Sequence, residues 1–181
     1  MTSTGPHKPD LPSPLDQTTW EQLYARLERP LYNVVYRWLW QAEDAQDVVQ
    51  EAFMRLWDMR QRVDSHTAQA LVYRIALNLA ANRRRRRKVW RWVTLEALRQ
   101  TADEGPGAEA LVSAHQQKAA VRRAIDALPE KQRRVMTLCA FGAMSYAEIA
   151  DILEISPGTV ASRRHTALQN LQHMLAKEGK S

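Results

Sequence analysis

The sequence predicts an all-α protein built as two small helical domains joined by a flexible linker. Apolar residues recur at the i, i+3, i+4, i+7 spacing of a helix in both halves of the 181-residue chain, and no stretch shows a convincing strand alternation or an internal repeat. The most sharply striped segment is Asp44–Trp57, with Ala45, Val48, Val49, Ala52, Phe53, Leu56 and Trp57 on one face. Between the halves, residues 93–116 lose their periodicity around Gly105-Pro106-Gly107, as a linker does. The expected limits are a tail over 1–17, a first domain over 18–92, the linker, and a second domain over 117–177.

Residues 1–17 are Pro-rich and low in hydrophobicity and are expected to be disordered. Thr18 or Thr19 can cap a helix starting near Trp20, continued by Leu23, Leu27 and Leu31, with Pro30 expected to kink or break it. Leu31, Val34, Val35, Trp38 and Leu39 then make a buried helix, and Gln41-Ala42-Glu43 connects to Asp44–Trp57. The polar face of that segment carries Asp44, Asp47, Gln50, Glu51 and Arg55, acidic toward the N-terminal end that the helix dipole favours. An acidic face in a basic chain suits a protein partner; an ordinary solvated face is the plainer alternative.

Arg60–Gln69 is polar and irregular, an exposed loop. A helix follows over Ala70–Asn82, its buried stripe Leu71, Val72, Ile75, Ala76, Leu79 and Ala80, with Arg74, Asn78, Asn82 and Arg85 on the other side. It runs into six consecutive cations, Arg83, Arg84, Arg85, Arg86, Arg87 and Lys88, followed by Trp90 and Trp92. Such a run repels itself unless a polyanion neutralises it, and a phosphate backbone does so with release of counterions. The two tryptophans either stack on bases or complete the packing.

In the second half, Val121, Ile125 and Leu128 stripe a helix that Pro129 stops. Glu130 starts the next, with Val135, Leu138 and Cys139 inward and Gly142 as its C-cap. Ser145-Tyr146-Ala147-Glu148 has the form of a capping box and opens a short helix burying Ile149, Ala150 and Leu153. After a tight turn at Glu154-Ile155, Ser156-Pro157 supply N-cap and first turn of a final helix. Residues 145–168 therefore have helix-turn-helix form, whose second helix presents its first residues to a DNA major groove. Thr159, Ser162 and Arg163 are the expected groove contacts, with His165 behind them and Gly158 permitting close backbone approach. Arg163 can alternatively bind phosphate, which positions without specifying sequence.

Composition bounds the rest. The formal charge is +6 and the pI about 9.8, which favours a polyanionic partner. A single cysteine, Cys139, leaves no internal disulfide to form and fits a reducing compartment. No apolar run is long enough to span a bilayer, and no secretory h-region precedes the first helix, so membrane insertion is not expected. His7, His66, His115, His165 and His173 are scattered, without metal-ligand spacing, and no Gly-rich phosphate loop is present. Cofactors, a small-molecule substrate and a catalytic constellation are accordingly not expected. A nuclease would need clustered carboxylates near the basic groove, and none are there.

Taken together, several segments resemble the extracytoplasmic-function class of bacterial sigma factors. They are Asp44–Trp57, then Val72–Ala76 with Asn78, Leu128-Pro129, Arg134-Val135, Ser145–Ala150, Ile155-Ser156 and Gly158–Val160 with Ser162-Arg163. The match runs over roughly Leu31–Leu175. The resemblance implies a region 2 domain and a region 4 domain, an alternative sigma factor that binds core RNA polymerase, and promoter-specific initiation. Asp44, Asp47, Gln50, Glu51 and Arg55 would dock on the β′ clamp helices. Asp64, Ser65 and His66, with Arg74, Asn78, Asn82 and Arg83–Lys88, would recognise and open the −10 element. Tyr146, Ser156, Gly158, Thr159, Ser162, Arg163 and His165 would serve the −35 element. The linker would thread polymerase near the RNA exit path, the β flap would be a further partner surface, the protein would be cytoplasmic, and an anti-sigma partner, in this class often at the inner membrane, would hold it. Asn82 replaces a frequent Asp, Ala161 a frequent Lys, Arg164 an often apolar residue and Thr166 an often basic one. The alternative from the residues alone is a stand-alone helix-turn-helix regulator, which has no need of the Asp44–Asp58 face.

Overall fold

A computed structural model describes residues 14–95 and 109–178, with side chains described except for 88–95, 109–116 and 178. Seven α-helices lie among those residues, and no strand. The first unit is α1 (Gln17–Leu39), α2 (Ala42–Asp58) and α3 (Ala68–Leu95). The second is α4 (Glu109–Ala127), α5 (Glu130–Phe141), α6 (Tyr146–Leu153) and α7 (Pro157–Glu178).

α1 starts earlier than its threonines suggest. Asp16 is the N-cap, its Oδ1 accepting the Thr19 N–H at 2.7 Å. Leu15 just before it is packed too: it is buried and donates its N–H to the Arg60 carbonyl at 3.1 Å. The part of the expected tail at 1–13 lies outside the described residues. Pro30 neither breaks nor ends α1. An interior proline removes one hydrogen bond and disfavours the helix by roughly 3 kcal/mol. Leu23 and Leu27 before it, and Leu31, Val34, Val35, Trp38 and Leu39 after it, are all buried. At about 1.5–3 kcal/mol for each large apolar side chain removed from water, that packing outweighs the proline.

α2 buries its predicted stripe, with Trp57 only partly covered. Trp20, Tyr24, Phe53 and Trp57 form an aromatic cluster between α1 and α2, the Tyr24 and Phe53 centroids 4.7 Å apart. The Arg60–Gln69 loop is more ordered than its composition suggests. A single 3₁₀ turn occupies Arg60–Arg62, Val63 is buried, and Asp64 anchors the start of α3 at Ala68. α3 buries Tyr73 and Leu77 beside Val72, Ala76 and Ala80, while Leu71, Ile75 and Leu79 are half-covered. The buried stripe is thus rotated from the predicted one, because α3 packs α1 and α2 on one side and α6 on the other.

In the second unit α4 begins at Glu109, inside the expected linker, and α3 extends beyond Trp92 to Leu95. Residues 96–108, with the Gly-Pro-Gly centre, lie outside the described residues. Val121, expected inward, is 44% exposed; Ala124 takes its place in the core. Gly142 does cap α5, with right-handed φ −84°, and the left-handed residue is Ala143 at φ 51°. Glycine at 142 answers a close approach instead: a Cβ there would stand 2.6 Å from the Leu138 carbonyl oxygen. Leu153 is half-buried where Ile152 is fully buried.

The two units share a continuous core. Trp38 of α1 is buried and donates its Nε1–H to Thr137 Oγ1 of α5 at 3.1 Å. Beside it, the buried Arg133 guanidinium donates to the carbonyls of Ile125, Asp126 and Leu128 at 2.9, 2.5 and 2.7 Å. Those carbonyls end α4, where the helix leaves its last acceptors unpaired and its dipole negative.

Candidate nucleic-acid interface

The outer face of α2 exposes Asp47, Gln50 and Arg55, with Asp44 and Glu51 half-buried. Folding brings the basic end of α3 across it. Arg83 Nη1 lies 3.3 Å from Asp44 Oδ1 and 3.2 Å from Asp47 Oδ2, and Nη2 lies 3.9 Å from Glu51. Arg87 pairs with Asp44, and Glu51 also pairs with Arg55 one turn on, at 2.6 Å. The acidic face is therefore partly neutralised from within, most at Asp44 and least at Asp47, whose side chain is 61% exposed.

The arginine run is divided in the same way. Arg83 and Arg87 turn to α2. Arg84 turns to the second unit, 3.1 Å from Asp126 Oδ1 and 2.9 Å from the Asp126 carbonyl. Arg85 and Arg86 are exposed. The side chains of Lys88, Trp90 and Trp92 lie outside the described residues. A helix places successive residues 100° apart, so a basic run longer than one turn must face several neighbours.

Of the loop residues, Asp64 acts on its own backbone: Oδ1 accepts the His66 N–H at 2.9 Å and its carbonyl accepts the Thr67 hydroxyl at 3.0 Å. Ser65 is half-buried and His66 exposed. On α3, Asn82 is exposed, whereas Arg74 and Asn78 are engaged by the second unit. Arg74 pairs with Glu154 and donates to the Asp151 carbonyl at 3.2 Å; Asn78 Oδ1 accepts from Arg134 at 3.2 Å. Arg74, Asn78, Lys131, Arg134, Glu154 and Arg163 line one cleft of about 340 Å³. Lys131, Arg134 and Glu154 were not among the expected site residues, because no local pattern links α5 or the turn to α3.

The helix-turn-helix is built as its sequence predicts. Ser145 Oγ accepts the Glu148 N–H at 3.3 Å while Glu148 accepts the Ser145 N–H at 2.8 Å, closing the capping box. These bonds from Ser145 hold the Glu148 carboxyl below its usual range. Glu154 ends α6 at φ 53°, a left-handed conformation unfavourable for a residue with a Cβ, and three residues later α7 is under way. Ser156 caps α7, its Oγ accepting the Thr159 N–H at 3.1 Å. Ser162, His165 and Tyr146 are exposed, while Thr159 and Arg163 are half-buried. Gly158 faces open space, its nearest neighbour to a Cβ being Ser156 Oγ at 3.9 Å. Any close approach there comes from outside the chain.

This order of elements agrees with two family descriptions. Residues 23–89 match Sigma-70 region 2, and residues 118–171 match Sigma-70, region 4. The ECF RNA polymerase sigma-E factor of Escherichia coli K12 is 32% identical over 162 residues, covering 82% of each chain. The chain belongs to the sigma-70 family, in the extracytoplasmic-function class. The ECF RNA polymerase sigma factor SigE of Mycolicibacterium smegmatis is 32% identical over 163 residues, which are 88% of this chain and 62% of that protein. A solved structure of CnrH in complex with the cytosolic domain of CnrY superposes with a TM-score of 0.64 at 25% identity, over 90% of both chains. A stand-alone helix-turn-helix regulator would not account for the region 2 match over α1–α3. Among the described residues no helix is long and apolar enough to cross a membrane.

Proposed function

We propose that this chain is an alternative sigma factor that binds core RNA polymerase and directs it to promoters carrying −10 and −35 elements. The observation that carries this reading is the presence, in family order on one chain, of the region 2 bundle and a fully capped region 4 helix-turn-helix. The exposed part of the α2 face, Asp47, Gln50 and Arg55 with Asp44 and Glu51 behind, docks on the β′ clamp helices. Asp64, Ser65, His66, Arg74, Asn78, Asn82 and the Arg83–Lys88 run serve the −10 element. There, capturing an unstacked base offsets a few kcal/mol of duplex opening. Tyr146, Ser156, Gly158, Thr159, Ser162, Arg163 and His165 serve the −35 element, and the second unit meets the β flap. The polymerase supplies all the chemistry, so the chain is not itself an enzyme. It works in the cytoplasm and is held by an anti-sigma protein until released.

The test is reconstitution. The purified chain is mixed with core polymerase and promoter DNA, and complex formation and abortive transcripts are measured. Promoter-dependent transcripts are expected; DNA binding without polymerase association would overturn the reading. Asp47→Lys with Glu51→Lys should abolish capture of core while leaving the helical circular-dichroism signal unchanged. Unaltered capture would remove the α2 face from the docking surface.

A further inference from the structure

We propose that residues 14–16, ahead of α1, form a strap that holds the loop between α2 and α3 in shape for −10 capture, with Leu15 as its positioning residue. The inference rests on the sigma-factor reading above and adds a residue that acts through the loop and not on the DNA. The region 2 match begins at residue 23, so the strap lies before it.

Two backbone contacts tie the strap to the loop. The Leu15 N–H donates to the Arg60 carbonyl at 3.1 Å, and Pro14 pairs with Asp64 as an antiparallel bridge. The 3₁₀ turn and the buried Val63 lie between these two grips. The Leu15 side chain is 1% exposed and belongs to the same apolar core as Val63, which anchors the strap in the bundle.

The ends of the loop are engaged by their own neighbours. Arg60 turns its guanidinium back onto Trp57, donating to that carbonyl at 3.0 Å and lying 4.2 Å from the ring centroid. The Asp64 carbonyl starts α3 by accepting the N–H groups of Thr67 and Ala68, both at 3.0 Å, while its Oδ1 takes the His66 N–H. The tip that remains outward carries Ser65, half-buried, and His66, exposed.

A tip of this kind captures an unstacked base well only if it is in place beforehand. A loop that must be ordered as the base arrives loses backbone freedom at that moment, and the loss is subtracted from the binding. Without the strap the Arg60 carbonyl turns to water and Asp64 loses its partner at Pro14. The turn is then free to change shape while α2 and α3 stay folded. Core capture is assigned to a different set, Asp47, Gln50 and Arg55 on α2, so the two activities separate under substitution.

The experiment uses the full-length chain bound to core polymerase and single-stranded oligonucleotides randomised over the −10 element. Selection with the unsubstituted chain gives the preferred sequence, and fluorescence anisotropy gives its affinity and that of single-base changes. Leu15→Ala should bind the selected oligonucleotide about ten times more weakly and discriminate less among the base changes, with capture of core polymerase unaltered. Leu15→Ile should restore both. Leu15→Pro keeps an apolar side chain and deletes the N–H that meets Arg60; it should repeat the loss, and it stands in for the alanine variant should that one not fold. Unchanged affinity and discrimination would overturn the strap. So would a parallel fall in core capture in both variants, which would leave Leu15 a support of the fold alone. Failure of the sigma reading shows separately, as absence of core capture by the unsubstituted chain.

Discussion

The two units are held by different means. α1–α3 bury Tyr73, Phe53, Leu31, Leu56 and Leu77 among three long helices, and this apolar packing continues past Trp38 into the second unit. The second unit has shorter helices, and its buried polar groups, Arg133 and Thr137, gather where it meets Trp38 of the first. Apolar burial is non-directional and scales with area, so the first unit is expected to stand alone. Hydrogen bonds from one buried guanidinium to three carbonyls are directional, so they fix where α4 and α5 sit more than they add to stability.

The largest effect should come from breaking the first unit. Phe53→Ala deletes the most deeply buried ring of the aromatic cluster and should cost about 3–5 kcal/mol, read as a fall in the main thermal transition by circular dichroism. If the second unit leans on the first, hydrogen exchange in α5 and α6 should rise with it; unchanged protection there would show that it folds unaided. Arg133→Ala probes the reverse dependence. It removes three donations to the carbonyls at the end of α4, leaving Arg84 on the Asp126 carbonyl, and should cost about 1–3 kcal/mol, felt mainly in the second unit. An early separate transition, with α1–α3 still protected, is the expected result; a single shifted transition would merge the two units into one.

The next prediction sharpens the contrast in charge. Arg85→Gln with Arg86→Gln removes the two exposed cations among the described side chains of the run and should flatten the salt dependence of promoter binding by about 1.8 units of log–log slope. Arg83→Gln with Arg87→Gln, taken from the pairs with α2, should flatten it less. Equal slopes for the two pairs would mean that the internal ion pairs open on DNA.

The smallest effect is in the second unit's capping box. Ser145→Ala should cost about 1 kcal/mol in thermal unfolding. Because the Glu148 pKa is depressed in the folded chain, its contribution is present above the unfolded value near 4.5 and is lost as pH falls through the folded value. Glu148→Gln should therefore reduce the acid sensitivity of α6, followed by hydrogen exchange between pH 5 and 3. An unaltered acid limb would assign that sensitivity to other carboxyls.

The helices and their order were legible in the residues. Asp44–Trp57, the Ser145–Glu148 box and the Ser156-Pro157 start are local patterns, decided within one or two turns, and the structure keeps each of them. Pro30 and the N-cap of α1 were not legible in this way. A proline's local penalty is visible in the sequence, but the seven buried side chains that outweigh it are a property of the assembled core. Likewise the rotated stripe of α3 depends on a second neighbour, α6, that lies far along the chain.

Charge shows the division most clearly. The sequence by itself determined an all-helical chain with an acidic helix face, a basic run and a helix-turn-helix, because each of these is written in residues a few positions apart. Only the tertiary structure decided that Arg83 and Arg87 lie on Asp44, that Arg84 lies on Asp126, and that Arg74 is held by Glu154. Coulomb energy falls with distance through space, not along the chain. Which cations remain for phosphate is therefore settled when the helices pack.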